Sequence, residues 1–251
     1  MITNRDILTW LQALAPPELA ESWDNNGLLC GRLDAPAGRV LVALDPFLPA
    51  AEEAADWGAG LLLTHHPLLF RPARAVTDET ALGRTMLFLI EHGIAAVNAH
   101  TCLDYAPGGV NDVLAQSLGL SDVTGGGLWR GGRVFPQPLA LFAAHVRDAL
   151  GAGGLRYCDA GRPVERVAVC GGAGIDCLPE LAGAGYDTFV TGDVKYNGFW
   201  DAADLGINLI DAGHFPTENP VCTMLAQSLA EAFPQLEVRL SRRHRDIIQF
   251  L

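Results

Sequence analysis

The sequence has little positive charge and only one lysine. It carries 17 Lys and Arg residues against 29 Asp and Glu residues, a formal net charge of −12, and Lys195 is the single lysine. A chain this acidic would repel a phosphate backbone, which argues against nucleic acid as a partner. It also lacks an apolar run of the ~20 residues that a membrane span needs, and its first residues lack the features of a signal peptide. We therefore expect a cytoplasmic protein with no membrane or nucleic-acid partner.

Organised cysteine motifs and low-complexity tracts are also missing. The six cysteines contain no CxxC pair and do not cluster, which argues against a disulfide scaffold or a structural zinc site. Free thiols in a reducing compartment are the simpler interpretation. Hydrophobic residues make up 49% of the 251 residues, so most of the chain should fold around a core.

Predicted strands and helices alternate along both halves of the chain. Buried strands such as residues 61–64 are separated by helices, a pattern typical of a mostly parallel sheet. The alternation stops at residues 121–138, which are rich in Gly and Pro, and then resumes. We therefore predict an α/β protein with two linked α/β domains, residues 1–125 and 126–251, with mostly parallel or mixed sheets. The C-terminal part of the second could pack back on the first.

Histidines and carboxylates follow two neighbouring strands of the predicted first sheet. The segment LLLTHHPLLF runs from a strand into His65 and His66, and the next strand leads to His100 and Asp104. Open parallel sheets place ligands beyond the carboxyl ends of their strands, so these side chains should share one sheet edge. Adjacent strand residues face opposite ways, so both histidines serve one cluster only if the chain turns or two metal ions lie between them. Pro67 favours the turn.

A third segment near the end of the chain adds two more donors. NLIDAGHFPTENP delivers His214 and Glu218 just before a predicted helix. Each segment alone has an ordinary interpretation as a turn or a helix start, but their recurrence at strand ends favours a metal site. Imidazole and carboxylate donors together suit Zn, Fe, Mn, Co or Ni. Five such donors exceed the needs of one metal ion and fit two that share a carboxylate.

Two further segments could contribute residues near the predicted metal site. TGDVKYN ends another predicted strand, where Lys195 would pair with an anionic substrate or simply with Asp193. CGGAG at residues 170–174 could present backbone amides to an anion or form a plain tight turn, and it lacks the lysine and hydroxyl of a P-loop. The candidate catalytic residues are His100 and Asp193, as proton carriers, and Lys195. Three other histidines are predicted to be structural or solvated: His92, His145 and His244.

Six segments in order resemble the NIF-three-like proteins, a family of dinuclear metal-centre hexamers often labelled GTP cyclohydrolase I type II homologues. They span nearly the whole chain and read SWDNNGLLCG, LLLTHHPLLF, NAHTCLDYAPGGVND, VAVCGGAG, FVTGDVKY and IDAGHFPTE. The chain departs from the usual family pattern at two positions. Cys102 stands where asparagine is common, and Asn197 stands where histidine is common.

The resemblance implies a fold, an assembly and a site. It implies a NIF-three-like fold, a ring-shaped homohexamer, and two divalent transition metal ions per subunit in the cleft between the domains. It also implies a metal-dependent hydrolase with a metal-activated bridging water, acting on a nucleotide such as GTP. The alternative is a non-catalytic metal-delivery, storage or scaffold hexamer, which the same ligands would serve. The implied metal ligands, of which Glu218 is the bridging carboxylate, are His65, His66, Asp104, His214 and Glu218.

Overall fold

The computed structural model covers residues 1–251, which divide into two units, each with its own sheet. The first unit is Met1–Ala106 with Cys222–Arg245, and the second is Pro107–Val221 with Asp246–Leu251. The helices are α1 (Asn4–Leu14), α2 (Leu48–Trp57), α3 (Ala81–Glu91), α4 (Thr101–Tyr105), α5 (Val110–Ser117), α6 (Leu139–Leu150), α7 (Leu178–Gly183), α8 (Tyr196–Asp204), α9 (His214–Glu218) and α10 (Pro220–Ala232). The strands are β1 (Gly27–Cys30), β2 (Arg39–Ala43), β3 (Leu61–Thr64), β4 (Ala95–Asn98), β5 (Ser121–Thr124), β6 (Arg130–Gln137), β7 (Arg156–Cys158), β8 (Val164–Val169), β9 (Thr188–Thr191), β10 (Asn208–Asp211) and β11 (Glu237–Leu240). None of the helices combines the length and the apolar character that a membrane crossing requires.

The first unit contains a five-stranded sheet in the order β1-β4-β3-β2-β11. Four of its strands run parallel, and β1 pairs antiparallel with β4 at one edge. The register aligns Thr64, the last residue of β3, with Ala43 of β2 and Asn98 of β4. Because these strands end side by side, the residues that follow them emerge at the same edge of the sheet.

The core of the first unit explains why its strands read as apolar runs. Strand β3 is buried along its whole length, as expected for a central strand of a parallel sheet. Leu41 and Leu62 pack on one face of the sheet with Ala50 and Ala54 of α2 and Leu89 of α3. The predicted strand at residues 61–64 is confirmed.

The second unit contains a six-stranded mixed sheet in the order β5-β6-β8-β9-β10-β7. Strands β8, β9 and β10 run parallel, whereas β5, β6 and β7 pair antiparallel with their neighbours. The register aligns Thr191 at the end of β9 with Asp211 at the end of β10. The loops after these parallel strands therefore share one edge. The predicted fold class, two linked α/β units with parallel and mixed sheets, is confirmed.

The division between the units differs from the predicted boundary at residues 125 and 126. That boundary falls between β5 and β6, two strands that pair with each other in the second sheet. The units divide instead after Ala106 and after Val221. The Gly-rich segment, residues 121–138, resembles a linker in composition, but it contains the strands β5 and β6 and their connection. Gly125 and Gly127 of that connection have positive φ, which glycine adopts without strain. Strand β11 lies beside β2 in the first sheet.

An ion pair between a buried arginine and a partly exposed aspartate joins α5 to β6 in the second unit. Arg130 is 4% exposed, and its Nε and Nη2 each lie 2.9 Å from the Asp112 carboxylate. Asp112→Ala removes the carboxylate that balances this buried charge, so we expect the free energy of unfolding to fall by about 3 kcal/mol. Arg133→Ala, which removes the exposed Arg133–Glu165 pair, should lower it by less than about 1 kcal/mol. Urea unfolding compares the two variants, and equal losses would contradict the prediction.

Candidate metal centre

His65 and His66 lie in a turn that follows β3. Thr64 Oγ1 donates to the His66 carbonyl (2.7 Å), and the His66 N–H donates to the Leu44 carbonyl (2.9 Å). The chain therefore bends as soon as the strand ends. The two imidazole rings lie on the same side of this bend, with centroids 4.8 Å apart. The turn expected from Pro67 is confirmed, and it removes the opposed orientation that two adjacent strand residues would have.

His100 and Asp104 join the two histidines at the same edge of the first sheet. The His100 ring centroid lies 5.2 Å from that of His65 and 5.4 Å from that of His66. Potential ligand nitrogens of these three rings all lie within 4.8 Å of one another. Asp104, in the short helix α4, places Oδ1 3.6 Å from His65 Nε2. The first unit therefore gathers three imidazoles and one carboxylate, and His100 lies among the predicted ligands.

His214 and Glu218 are the first and last residues of α9 in the second unit. Their i,i+4 spacing brings His214 Nε2 to 3.0 Å from Glu218 Oε2, and Glu218 is buried. Gly213, with φ +89°, lets the chain turn from β10 into this helix. The sequence placed both residues just before a helix. The structure adds the five-residue helix α9 and starts α10 at Pro220.

The four histidines of the candidate site, His65, His66, His100 and His214, each form a hydrogen bond through Nδ1. An oxygen atom accepts a hydrogen bond, so each of these Nδ1 atoms carries the hydrogen, and Nε2 of the neutral ring presents a lone pair. Metal-binding histidines ordinarily donate their other ring N–H to a carboxylate or a backbone carbonyl in this way. The acceptors are the Ala99 carbonyl for His65 (3.0 Å), Asp45 Oδ1 for His66 (2.7 Å), Asp24 Oδ1 for His100 (2.8 Å) and Asp193 Oδ2 for His214 (2.8 Å).

Contacts between imidazoles and carboxylates also fit a metal. With hydrogen on Nδ1, His214 Nε2 and Glu218 Oε2 direct lone pairs at each other across 3.0 Å. His65 Nε2 and Asp104 Oδ1 do the same across 3.6 Å. Such a pair is repulsive unless a proton or a metal cation lies close to both atoms. Neutral imidazole with carboxylate is also the donor set that divalent transition metals prefer.

Gly172, in the loop after β8, makes room for Glu218 and His214. Its φ is +62°, and a Cβ at this position would lie 2.2 Å from Glu218 Oε1 and 3.2 Å from His214 Cε1. The Gly172 N–H donates to Thr217 Oγ1 (3.0 Å), which joins the loop to α9. Only a residue without a side chain leaves the Glu218 carboxylate in its observed position.

Two further amides of the CGGAG segment donate to side chains of the protein. The Gly171 N–H donates to Asn111 Oδ1 (2.8 Å), and the Gly174 N–H donates to Thr191 Oγ1 (3.0 Å). Thr191 Oγ1 in turn donates to the Gly172 carbonyl (3.0 Å). Of the two interpretations of this segment, the tight turn is therefore the one that the structure supports.

Asp24, the acceptor for His100, is a residue that the sequence analysis missed. Its side chain is fully buried and also accepts from the Thr101 N–H and the Asn26 amide, each at 2.9 Å. Burial alone would raise the pKa of Asp24, but these hydrogen bonds, led by that from His100, lower the pKa below its ordinary value. The carboxylate stays ionised and keeps the hydrogen on His100 Nδ1. Asp24 lies in the SWDNNG motif, which belongs to one of the six segments that carry the family resemblance. That position was the one feature of the sequence that could have identified it as a residue of the site.

Asp45, the acceptor for His66, was missed as well. It follows β2 at the sheet edge where His65 and His66 follow β3, so the rule that selected the histidines also applied to it. Burial alone would raise the pKa of Asp45, but hydrogen bonds from His244 and His66 lower the pKa below its ordinary value. His244, predicted to be structural or solvated, therefore contacts a residue of the site.

Lys195 and Asp193 lie together in the second unit. They line a cavity of about 750 Å³ with Asn197, the position where the family pattern has histidine. Lys195 is exposed, and Asp193 is the acceptor for His214 Nδ1. The cavity is therefore lined by the acceptor of His214 and by an exposed lysine.

Cys102, the other departure from the family pattern, is buried behind His100. Its Sγ lies 3.5 Å from Asn26 Oδ1. Burial, together with the charges of Asp24 and Asp104, raises the pKa of the Cys102 thiol to about 11. The thiol therefore stays protonated at neutral pH. All six cysteines are free.

Known proteins resemble this chain along its whole length. The family model for Duf34/NIF3 (NGG1p interacting factor 3) matches residues 2–247. A Clostridium perfringens protein named GTP cyclohydrolase 1 type 2 homolog is 32% identical over 98% of both chains. A Streptomyces coelicolor protein of the same name is 39% identical over 90% of this chain and 85% of its own. A Staphylococcus aureus crystal structure matches with a TM-score of 0.95 and 27% identity, over 100% of this chain and 99% of its own.

We expect Gly172→Ala to weaken metal binding by at least about tenfold, because the added Cβ displaces Glu218. Gly151→Ala is the matched control, since Gly151 has φ +61° and open space where its Cβ would lie. Both variants carry the same backbone strain, about 1 kcal/mol, so only the displacement of Glu218 separates them. Titration with a metal-binding dye measures the affinity of each. Equal metal affinity in the two variants would contradict the role of Gly172.

Proposed function

We propose, because the chain belongs to the Duf34/NIF3 family, that it binds two divalent transition metal ions and acts as a metal-dependent hydrolase. The observation that carries the proposal is the shared orientation of His65, His66, His100 and His214, each with Nδ1 on an oxygen acceptor. This orientation makes Nε2 the ligand atom of His65, His66 and His214 and the proton-carrying atom of His100. Glu218, buried beside His214, is proposed as the bridging carboxylate. The proposed ligands are His65, His66, Asp104, His214 and Glu218.

When bound, the metal ions would supply an activated water for hydrolysis at neutral pH. His100 is the proposed proton carrier: the ionised Asp24 holds its Nδ1–H, so Nε2 is the atom that accepts and returns the proton. Asp193 is proposed to hold the ring of His214. Lys195, exposed in the neighbouring cavity, would bind a substrate phosphate as a point charge.

Two exposed aromatic rings beside His100 support a substrate that contains a planar ring. Trp23 and Phe70 are 58% and 53% exposed, and their rings pack edge to face at 5.7 Å. Both rings also lie about 6 Å from His100. The Asn25 amide donates to the Leu69 carbonyl (2.7 Å), which fixes the two aromatic loops to each other. Exposed aromatic faces stack well on nucleobases, and the names of the relatives point to GTP.

The test of this function is metal content followed by GTP turnover. We expect about two metal ions per chain and opening of the guanine ring, followed by formate release, only when metal is present. His65→Ala with Glu218→Ala should abolish both while leaving the chain folded, since the two ligands lie in a turn and a short helix rather than in the strands of the sheets. Two metal ions without turnover of GTP or related nucleotides would contradict the hydrolase and favour metal delivery or storage. Unfolding on metal removal would make the metals structural.

Substitution of Trp23 tests the substrate class separately. We expect Trp23→Ala to raise the KM for GTP about tenfold through the loss of one stacking face, with metal content unchanged. Trp23→Phe should retain most of the affinity. Trp200→Ala is the control, because Trp200 is also 58% exposed but lies in α8 of the second unit. Equal KM values for the Trp23→Ala and Trp200→Ala variants would exclude stacking on Trp23.

The proposal extends to the assembly and the location of the protein. From the family resemblance we propose a ring-shaped homohexamer in the cytoplasm. Six free cysteines support a reducing compartment, because thiols persist there without forming disulfides. A net charge of −12 supports a partner other than nucleic acid.

A further inference from the structure

The segment that follows β11 reaches the edge of the first sheet where the candidate ligands lie. Strand β11 runs parallel to β2, with Leu240 aligned to Val42, and the Ser241 N–H donates to the Val42 carbonyl (2.8 Å). Because the two strands run the same way, the chain leaves β11 beside the end of β2, where Asp45 lies. We call residues 241–245 the tail segment.

Glu53 of α2 holds the tail segment in place. Its carboxylate accepts from Ser241 Oγ (2.5 Å) and from the backbone N–H groups of Arg242 and Arg243 (3.0 Å each). Hydrogen bonds to a charged acceptor are among the stronger ones in proteins. Three of them on one carboxylate fix the backbone immediately before His244.

The fixed tail segment places the side chain of His244 in contact with Asp45. Its side chain is 10% exposed, and its Nε2 lies 2.8 Å from Asp45 Oδ2. The other oxygen of the same carboxylate, Oδ1, accepts from His66 Nδ1 at 2.7 Å. Phe47 packs edge to face against the His244 ring, with centroids 6.2 Å apart. The Asp45 carboxylate is therefore held by one imidazole on each oxygen.

We propose that His244 is a positioning residue of the metal centre: it fixes Asp45, and Asp45 fixes the ring of His66. The inference rests on the proposed role of His66 as a ligand. A carboxylate held at one oxygen only can rotate about its side-chain torsions, and loss of such an outer hydrogen bond typically weakens metal binding by about 10- to 100-fold. The tail segment therefore contributes to metal affinity without supplying a ligand atom.

The test measures the Kd for Zn²⁺ on the full chain, by competition with a chromophoric chelator. We expect His244→Ala to raise this Kd about tenfold. His244→Gln should restore it to near the wild-type value, because the glutamine amide places an N–H close to the position of Nε2. Arg243→Ala is the control in the same segment: it removes the Arg243–Asp56 pair (2.5 Å) and leaves the contact with Asp45, so its Kd should match the wild type.

A double-variant cycle distinguishes positioning from a general loss of stability. Since His244 acts through Asp45, His244→Ala should have no further effect on the Kd in the Asp45→Asn background. A wild-type Kd in folded His244→Ala, a failure of His244→Gln to restore binding, or an independent loss in the Asp45→Asn background would each overturn the inference. Metal-free thermal unfolding checks folding in every variant. A wild-type chain that binds no Zn²⁺ would overturn the proposed metal centre instead.

Discussion

The hydrogen bond from histidine Nδ1 to an oxygen acceptor is the interaction on which the candidate site depends. Parallel strands that end side by side bring imidazoles to one edge of a sheet, but they leave each ring free to rotate. The acceptors remove that freedom, and they come from different loops: Asp45 follows β2, Ala99 follows β4, and Asp24 precedes β1. The orientation of the candidate ligands is therefore set by the folded sheet itself, an arrangement that outer hydrogen bonds also give to known metal sites.

In the second unit, unusual backbone conformations rather than long helices or strands position His214. Asp193, the acceptor for His214, is one of two non-glycine residues with positive φ. A conformation of this kind costs about 1 kcal/mol or more and tends to persist where function requires it. Gly192 is equally constrained, because a Cβ there would lie 2.7 Å from the backbone of Gly213. The loop after β9 therefore packs directly against the loop after β10, and this close contact fixes the position of His214.

Local signals decided what could be predicted from the sequence. The central strand β3 and the candidate ligands His65 and His66 were predictable, because an apolar run followed by polar donors can be read from adjacent residues. Strand β6 was not predictable, because its glycines and charged residues form no apolar run. Its extended conformation is stabilised by antiparallel pairing with β8. The contact of His244 with Asp45 was not predictable either, because it joins residues 199 positions apart and leaves no periodic pattern.

Anomalous diffraction from a metal-loaded crystal would show directly whether these histidines bind metal through Nε2. We expect two peaks per chain, each about 2.0 to 2.1 Å from a histidine Nε2 atom, with every Nδ1 still on its oxygen acceptor. A metal bound through Nδ1 or through cysteine sulfur, or an absence of peaks at the four histidines after loading, would contradict this expectation.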